Sequence, residues 1–273
     1  MKAHVKRVLD FLGRNSLAHL LQRERYASEL KAAERYADPR CLTRHEHRVF
    51  SQNGEDGAIG QILARIGAGG FFIEIGSGDG SENNTTFLLS QGWSGVWIEG
   101  SAANATIIRR KFARPLASGQ LVLVESFVTA ENVNALLTPF ADKEVDVLSL
   151  DVDRNTYYVW EALTVLRPRV SVIEYNPMFP PGVEWRVEYS ADRWWNGSSY
   201  YGASLSALAT LGSSRRELLV GCDLTGTNAY FVREDLCASH FLNPGDVATH
   251  YEPCRNHLQG RPTGHPRSFS DLS

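Results

Sequence analysis

The sequence predicts an α/β protein: a doubly wound, mostly parallel seven-stranded sheet with an antiparallel last strand, preceded by an N-terminal helical arm. Three observations predict it. Five short apolar runs alternate with helical segments between residues 71 and 175, the rhythm of a parallel sheet with right-handed crossovers. A glycine-rich turn, GSGDG, follows the first of those runs directly. The last two apolar runs are separated only by LTGT, short enough for a hairpin.

Residues 1–49 read as the helical arm. Val5, Val8, Leu9, Phe11 and Leu12 share one face, Leu17, Leu20 and Leu21 continue the spacing, and Gly13 and Asn15 divide the arm in two. SQNGEDG (51–57) is a turn whose Glu55 and Asp56 suit the positive end of the helix that follows and stops at Gly67. The strands are then FFIEI (71–75), SGVWIE (94–99), QLVLVE (120–125), VDVLSL (145–150) and RVSVIEY (169–175). Between them lie the helices TTFLLSQG, SAANATIIRRKFA with its serine cap, TAENVNALLTPF and NTYYVWEALTVL. SLSALATLGSSR is the last long helix, before the hairpin strands ELLVGCD and NAYFVRE. The domain is expected over residues 50–237. From Ala238 the chain turns polar, so residues 238–273 are expected as a tail, with LQGRPTGHPRSFSDLS mobile. His240, His250, His257 and His265 lack regular ligand spacing and are expected to be solvated, with His240 folding back as a base the alternative.

A net charge of -3 excludes a strongly basic nucleic-acid binder. The distribution is uneven: residues 1–49 hold eleven Lys or Arg against six Asp or Glu, the remainder seventeen against twenty-five. Such an arm docks on the acidic core or is simply solvated; docking on a partner and peripheral contact with an anionic membrane surface are the other options. Cys41, Cys222, Cys237 and Cys254 form no CxxC pair, which fits reduced thiols in a cytoplasmic protein. The first residues lack a signal peptide's apolar region, and no stretch reaches the roughly 20 apolar residues of a membrane span.

The chemistry concentrates at FFIEIGSGDG. Gly76 lets the chain leave the strand in a tight turn, and Gly78 and Gly80 let backbone approach a ligand closely. Glu74 and Asp79 add negative charge where a pyrophosphate would sit, which disfavours a dinucleotide. A zwitterionic amino-acid moiety beside a sulfonium tolerates those carboxylates. Glu99 ends the next strand about 20 residues on, where an acid accepts both ribose hydroxyl protons in nucleotide-binding α/β folds. Together they point to an adenosyl cofactor.

SQNGEDG, FIEIGSGDGSENNTTFLL, GWSGVWIEG, VLSLDVDRNTYYVWEAL and VIEYNPMFPP occur in one order, and YYGASLSALATL and GTNAYFVREDL continue it. Over roughly residues 50–237 this string resembles the FkbM-type methyltransferases, which mostly methylate hydroxyl groups. The resemblance implies a Rossmann-like class I methyltransferase fold and S-adenosylmethionine as cofactor. It implies that Glu74, Gly76, Gly78 and Gly80 surround the methionine part, that Glu99 holds the ribose, and that Ser126 and Phe127 lie by the adenine. Gln52 and Glu55 match the family's segment upstream of the glycine turn, as cofactor or substrate residues or as helix caps.

An alcohol must lose its proton during methyl transfer, which calls for a general base or a metal. Asp151 and Asp153 stand just past the fourth strand, at the edge where open sheets bind ligands, and Asp151 is within reach of the cofactor as well. Glu174 and Asn176 stand at the same edge of the fifth strand. Asp151, Asp153, Glu174 and Asn176 together offer the oxygen ligands that Mg²⁺ prefers. Arg154 interrupts the family's usual pattern; it either replaces a metal beside the carboxylates, pairs with substrate, or forms an ordinary loop salt bridge. NPMF (176–179) follows the fifth strand rather than the fourth, which argues against N-methylation. The connection 179–202 is long for a compact domain and rich in aromatics. Tyr175, Trp185, Trp194, Trp195, Tyr200 and Tyr201 are therefore expected to face the acceptor, with rings suited to a sugar's CH surface. The expected activity is O-methylation of a sugar or glycan hydroxyl; the alternatives are a small polyketide-like or lipid alcohol, or an inert cofactor-binding module.

Overall fold

A computed structural model describes residues 17–258, apart from Ala68 and Ala238. The proposed break at Gly13 and Asn15, the first apolar face of the arm and most of the C-terminal LQGRPTGHPRSFSDLS, with His265, lie outside the described residues. The arm's second half is one helix, α1 (Leu17–Lys31), in which Leu21 is 56% exposed. Its end is tied to the body of the protein: Lys31 Nζ lies 3.0 Å from Glu46 Oε2. Between them Tyr36 and Leu42 are buried, with Tyr36 donating to the Glu252 carboxylate at 2.9 Å. So residues 36–46 dock on the core. No helix among the described residues is long and apolar enough to cross a membrane.

The sheet holds β1 (Phe71–Ile75), β2 (Ser94–Glu99), β3 (Leu121–Glu125), β4 (Val147–Leu150), β5 (Val170–Glu174), β6 (Glu217–Cys222) and β7 (Asn228–Arg233). Their order is β3-β2-β1-β4-β5-β7-β6. The first five are mutually parallel, whereas β7 runs antiparallel to both β5 and β6. This is the seven-stranded, Rossmann-like methyltransferase arrangement.

Alternation along each strand divides the core. Ile73 and Ile75 of β1 join Ile98, Leu148 and Leu150 against α7 (Thr156–Ala162) and α8 (Leu205–Ser214). Phe72 joins Trp97, Val147 and Val172 on the other face, against α2 (Glu55–Ile66), α3 (Thr86–Ser90) and α4 (Ala102–Lys111). Strands buried on both faces explain why they read as near-continuous apolar runs. The short helices α5 (Ala113–Ser118) and α6 (Val133–Leu137) flank β3. The helix expected to run to Leu166 stops at Ala162, because Leu163 turns to extended backbone (ψ 109) and Pro168 follows close behind.

Beyond β7, α9 (Glu234–Cys237) and α10 (Val247–His250) pack against the domain. Phe241 is 1% and Glu252 2% exposed. His250, expected to be solvated, is buried, and burial pulls its pKa down.

The chain winds outward from β1 toward β3, then returns to start β4 on the other side of β1. The crevice between the carboxyl ends of β1 and β4 is therefore the topological switch point, where open α/β sheets bind ligands.

Candidate active site

Two cavities open at this edge. The first, about 350 Å³, lies over the ends of β1, β2 and β3 and is walled by Gly76, Gly78, Glu99, Asn104, Ser126 and Phe127. The second, about 390 Å³, lies beyond β4 and β5 and includes Gln52, Glu174, Trp195, Tyr201, Thr227 and Asn256. Asp151 and Asp153 line both.

The glycine turn makes room for the first cavity. Gly76 has φ 84, and a Cβ there would fall 1.7 Å from the Asp151 carbonyl oxygen, so the turn after β1 can lie this close to the end of β4 only with glycine at this position. Gly78 also adopts positive φ and has open space where a side chain would stand. Gly80 is different. A Cβ at Gly80 would strike the Phe112 ring, so its role is to let α4 pack close, and it does not line the cavity.

Glu74 also departs from expectation. It is 4% exposed and accepts from the backbone amides of Asn84 and Thr85 at 2.9 and 3.1 Å, and from Ser149 Oγ at 3.3 Å. Period-two alternation aims it beneath the turn, where it fixes the entry to α3 instead of surrounding a ligand. Burial pushes its pKa up to about 7. Glu55 is likewise spent: fully buried, it accepts from the amides of Asn53 and Gly54 and from Asn228 Nδ2 at 2.9 Å. It braces the turn that leads into α2 and lines neither cavity.

Glu99 stands on the wall of the first cavity. Its Oε1 accepts from Ser101 N at 2.8 Å and Asn104 Nδ2 at 3.3 Å, while Oε2 accepts no hydrogen bond among the described residues. Asn104 went unnoticed in the sequence. Its signal was there: it is three residues past the Ser101 cap, and its amide donates to that hydroxyl. Phe127, 50% exposed, offers a ring face to the same cavity.

At the junction, ligand oxygens of Asp151, Asp153 and Glu174 lie within 4.8 Å of one another. Burial pushes the Asp151 carboxyl up, with the Glu55 charge adding to it. Asp153, in a left-handed backbone conformation (φ 55), is raised to about 6 by burial and by Asp151. Glu174 is driven well above the carboxylate range by burial and then by both aspartates. No Lys, Arg or His lines either cavity among the described residues, and Glu174 shares a hydrogen bond with Asp151, which needs a proton held between the two carboxyls. The junction thus gathers three acids with no basic side chain to neutralise them, and they hold protons more tightly than free carboxyls do.

Two expected members of this cluster lie elsewhere. Arg154 is 8% exposed; its Nη2 donates to the Glu188 carbonyl at 2.8 Å and its guanidinium lies over the Tyr200 ring at 5.2 Å. It forms no ion pair with the aspartates and anchors the long connection between β5 and α8. Asn176 is fully buried and donates to the carbonyls of Ser199 and Tyr201, both at 2.9 Å, so it braces the same connection.

The aromatics divide three ways. Tyr175 is fully buried and donates to Glu252 O at 2.6 Å, out of contact with either cavity. Trp185 stacks on Phe179 at 4.4 Å and edges Tyr200 at 5.6 Å, packing the base of the connection. Trp195 and Tyr201 line the second cavity, but Trp194 lines the first.

No family model matches the chain, and no curated protein matches it in sequence. Among solved structures it is similar to the magnesium protoporphyrin IX methyltransferase of Synechocystis PCC 6803, solved with bound SAH. That match has 15% identity and a TM-score of 0.44, over 66% of this chain and 81% of that one. It is similar to SAM-bound CalS10, an amino pentose methyltransferase from Micromonospora echinaspora, at 11% identity and TM-score 0.40, over 66% and 89%. It is also similar to an O-methyltransferase family protein from Burkholderia thailandensis, at 10% identity and TM-score 0.42, over 66% and 57%. These likenesses transfer no residue role and no substrate to this chain; its own strand order carries the fold.

Proposed function

We propose that this chain is an S-adenosylmethionine-dependent methyltransferase acting on a hydroxyl of a sugar or glycan. One observation carries the reading: Asp151 and Asp153 stand where an adenosyl-sized cavity meets a polar second cavity. The first cavity fits the cofactor. Gly76 and Gly78 leave backbone exposed for the amino-acid part, Glu99 Oε2 is available to ribose hydroxyls, and the Phe127 face suits a purine. When bound, the cofactor supplies a methyl group already activated by its sulfonium.

The protein's task is then to align an acceptor and take its proton, and alignment alone lowers the barrier substantially. Ser198, Ser199, Thr227 and Asn256 offer hydrogen bonds in the second cavity, while Trp195 and Tyr201 offer ring faces. That mixture suits a polyhydroxylated ring better than a lipid alcohol. The resemblance to FkbM-type enzymes supports oxygen as the nucleophile. Asp151 and Asp153 are placed to accept the hydroxyl proton. Asp151, Asp153 and Glu174 also suit a hard divalent cation such as Mg²⁺, which would lower the hydroxyl's pKa and offset their charge. Arg154 and Thr156, the two departures from the family pattern, favour an inert binding module only if they block the site; Arg154 engages Glu188 and Tyr200, and Thr156 Oγ1 bonds the backbone of Val152 and Asp153.

The test is transfer of labelled methyl from S-adenosylmethionine to a panel of neutral glycans and lipid alcohols, with and without EDTA. We expect label on a glycan hydroxyl, lost with chelator and restored by Mg²⁺. Label only on a lipid alcohol overturns the acceptor, and turnover indifferent to EDTA removes the cation.

A further inference from the structure

Residues 191–198 form the tip of the long connection between β5 and α8, and two buried asparagines hold its ends. Asn155 Nδ2 donates to Ser190 O at 2.8 Å, and Asn176 Nδ2 to Ser199 O and Tyr201 O. Asn155 is 7% exposed and Asn176 fully buried, so both anchors are set by the core. They follow Asp153 and Glu174 closely in the chain, which ties the tip to the loops that carry the carboxylates.

Between the anchors the side chains from Asp192 onward are exposed, and two adjacent indoles of the tip border the two cavities. Trp194 lies 5.0 Å from the Phe127 ring, at 54° between planes, and lines the first cavity. Trp195 lies 6.0 Å from the Tyr201 ring, donates from Nε1 to Ser198 O, and lines the second. The two indoles thus turn to opposite sides of the tip. One short tip therefore serves both cavities at once. Trp194 is 63% and Phe127 50% exposed, so a flat heterocycle lodged against them would cover apolar area that each now shows to solvent.

We propose that Trp194 is a binding residue for the cofactor's base, and that seating it fixes Trp195 as the wall of the acceptor cavity. Occupation of the first cavity then completes the second, and by reciprocity an acceptor tightens the cofactor. This rests on the reading of the first cavity as an adenosyl site. It also corrects the expectation that both tryptophans face the acceptor.

S-adenosylhomocysteine is the probe, with calorimetry for affinity and hydrogen exchange for order in residues 191–198. Wild-type protein should bind it and gain protection across the tip. Trp194→Ala should bind about tenfold more weakly, in line with the loss of one base–aromatic stack. At saturating ligand that variant should leave the tip unprotected, and Trp194→Phe should recover most of both effects. Trp195→Ala should bind as tightly as wild type. Both indoles are largely exposed, and matching thermal melts would show that the variants fold. Equal affinity in wild type and Trp194→Ala, or binding without protection of the tip, overturns the proposal while leaving the adenosyl site intact. Failure of folded wild type to bind removes the adenosyl site and the proposal with it.

Discussion

At the amino edge of the sheet, Asp146 is 1% exposed and fully engaged. It accepts from the amides of Gly69, Gly70 and Phe71 and from Arg169 Nη1 at 2.9 Å. Glu217, on the same edge, takes Ser171 Oγ and Arg215 Nε. At the carboxyl edge, Asp151, Asp153 and Glu174 face one another without an arginine or lysine paired to them among the described residues. Similar side chains thus do opposite work. The amino edge uses its charge to hold the starts of β1, β4 and β5 together. The carboxyl edge buries acids with no base beside them, which raises their pKa values, and groups perturbed in this way cluster where chemistry is done.

The sharpest way to break this contrast is to neutralise one acid at each edge. Asp151→Asn keeps size and much of the hydrogen bonding but loses the charge. Turnover should fall by about 10²–10⁴-fold, the usual share of a general base, with cofactor affinity changed little. Methyl-transfer kinetics beside calorimetry would read this, and undiminished turnover would remove Asp151 from the chemistry. Asp146→Ala should do the reverse. It strands Arg169 and three amides, so unfolding should ease by about 3–5 kcal/mol, as when a buried pair loses one partner. Denaturant titration would measure the loss, and activity per folded molecule should persist.

A smaller effect comes from Glu46, whose carboxyl burial raises to about 8 despite Lys31. Its folded pKa lies above the unfolded value of about 4.3, so the folded state holds the extra proton between them. The stabilisation is therefore full below that unfolded value and is lost as pH rises through about 8. Denaturation midpoints should fall from about pH 6 to about pH 9, with a shallower slope in Glu46→Gln. An unchanged slope in that variant would clear Glu46 of the effect.

Much of the fold was legible because its signals are local. β1 and β2 fall on the residues that the apolar runs mark, and the Ser101 cap is where the helix starts. The last turns after β7 were not legible, since α10 spans only Val247–His250 and takes its burial from distant partners. In the site, the glycine turn announced its own geometry, but the destination of each acid did not appear in the sequence. Glu74 and Glu99 share one face of the sheet, but Glu74 stands level with Trp97 inside β1 and braces Asn84 and Thr85, whereas Glu99 is the last residue of β2 and reaches the cavity wall. Arg154 beside two aspartates suggests an ion pair, yet the carbonyl of Glu188, far along the chain, claims it.

The measurement closest to the central claim is calorimetric titration of the folded wild-type chain with S-adenosylmethionine, beside Glu99→Ala. The predicted result is saturable binding of one cofactor per chain. In the variant it should be weakened by about tenfold or more, as expected when a hydrogen-bonding charge is withdrawn from the ribose. Absence of binding to well-folded wild type, or equal affinity in Glu99→Ala, would contradict the assignment of the first cavity.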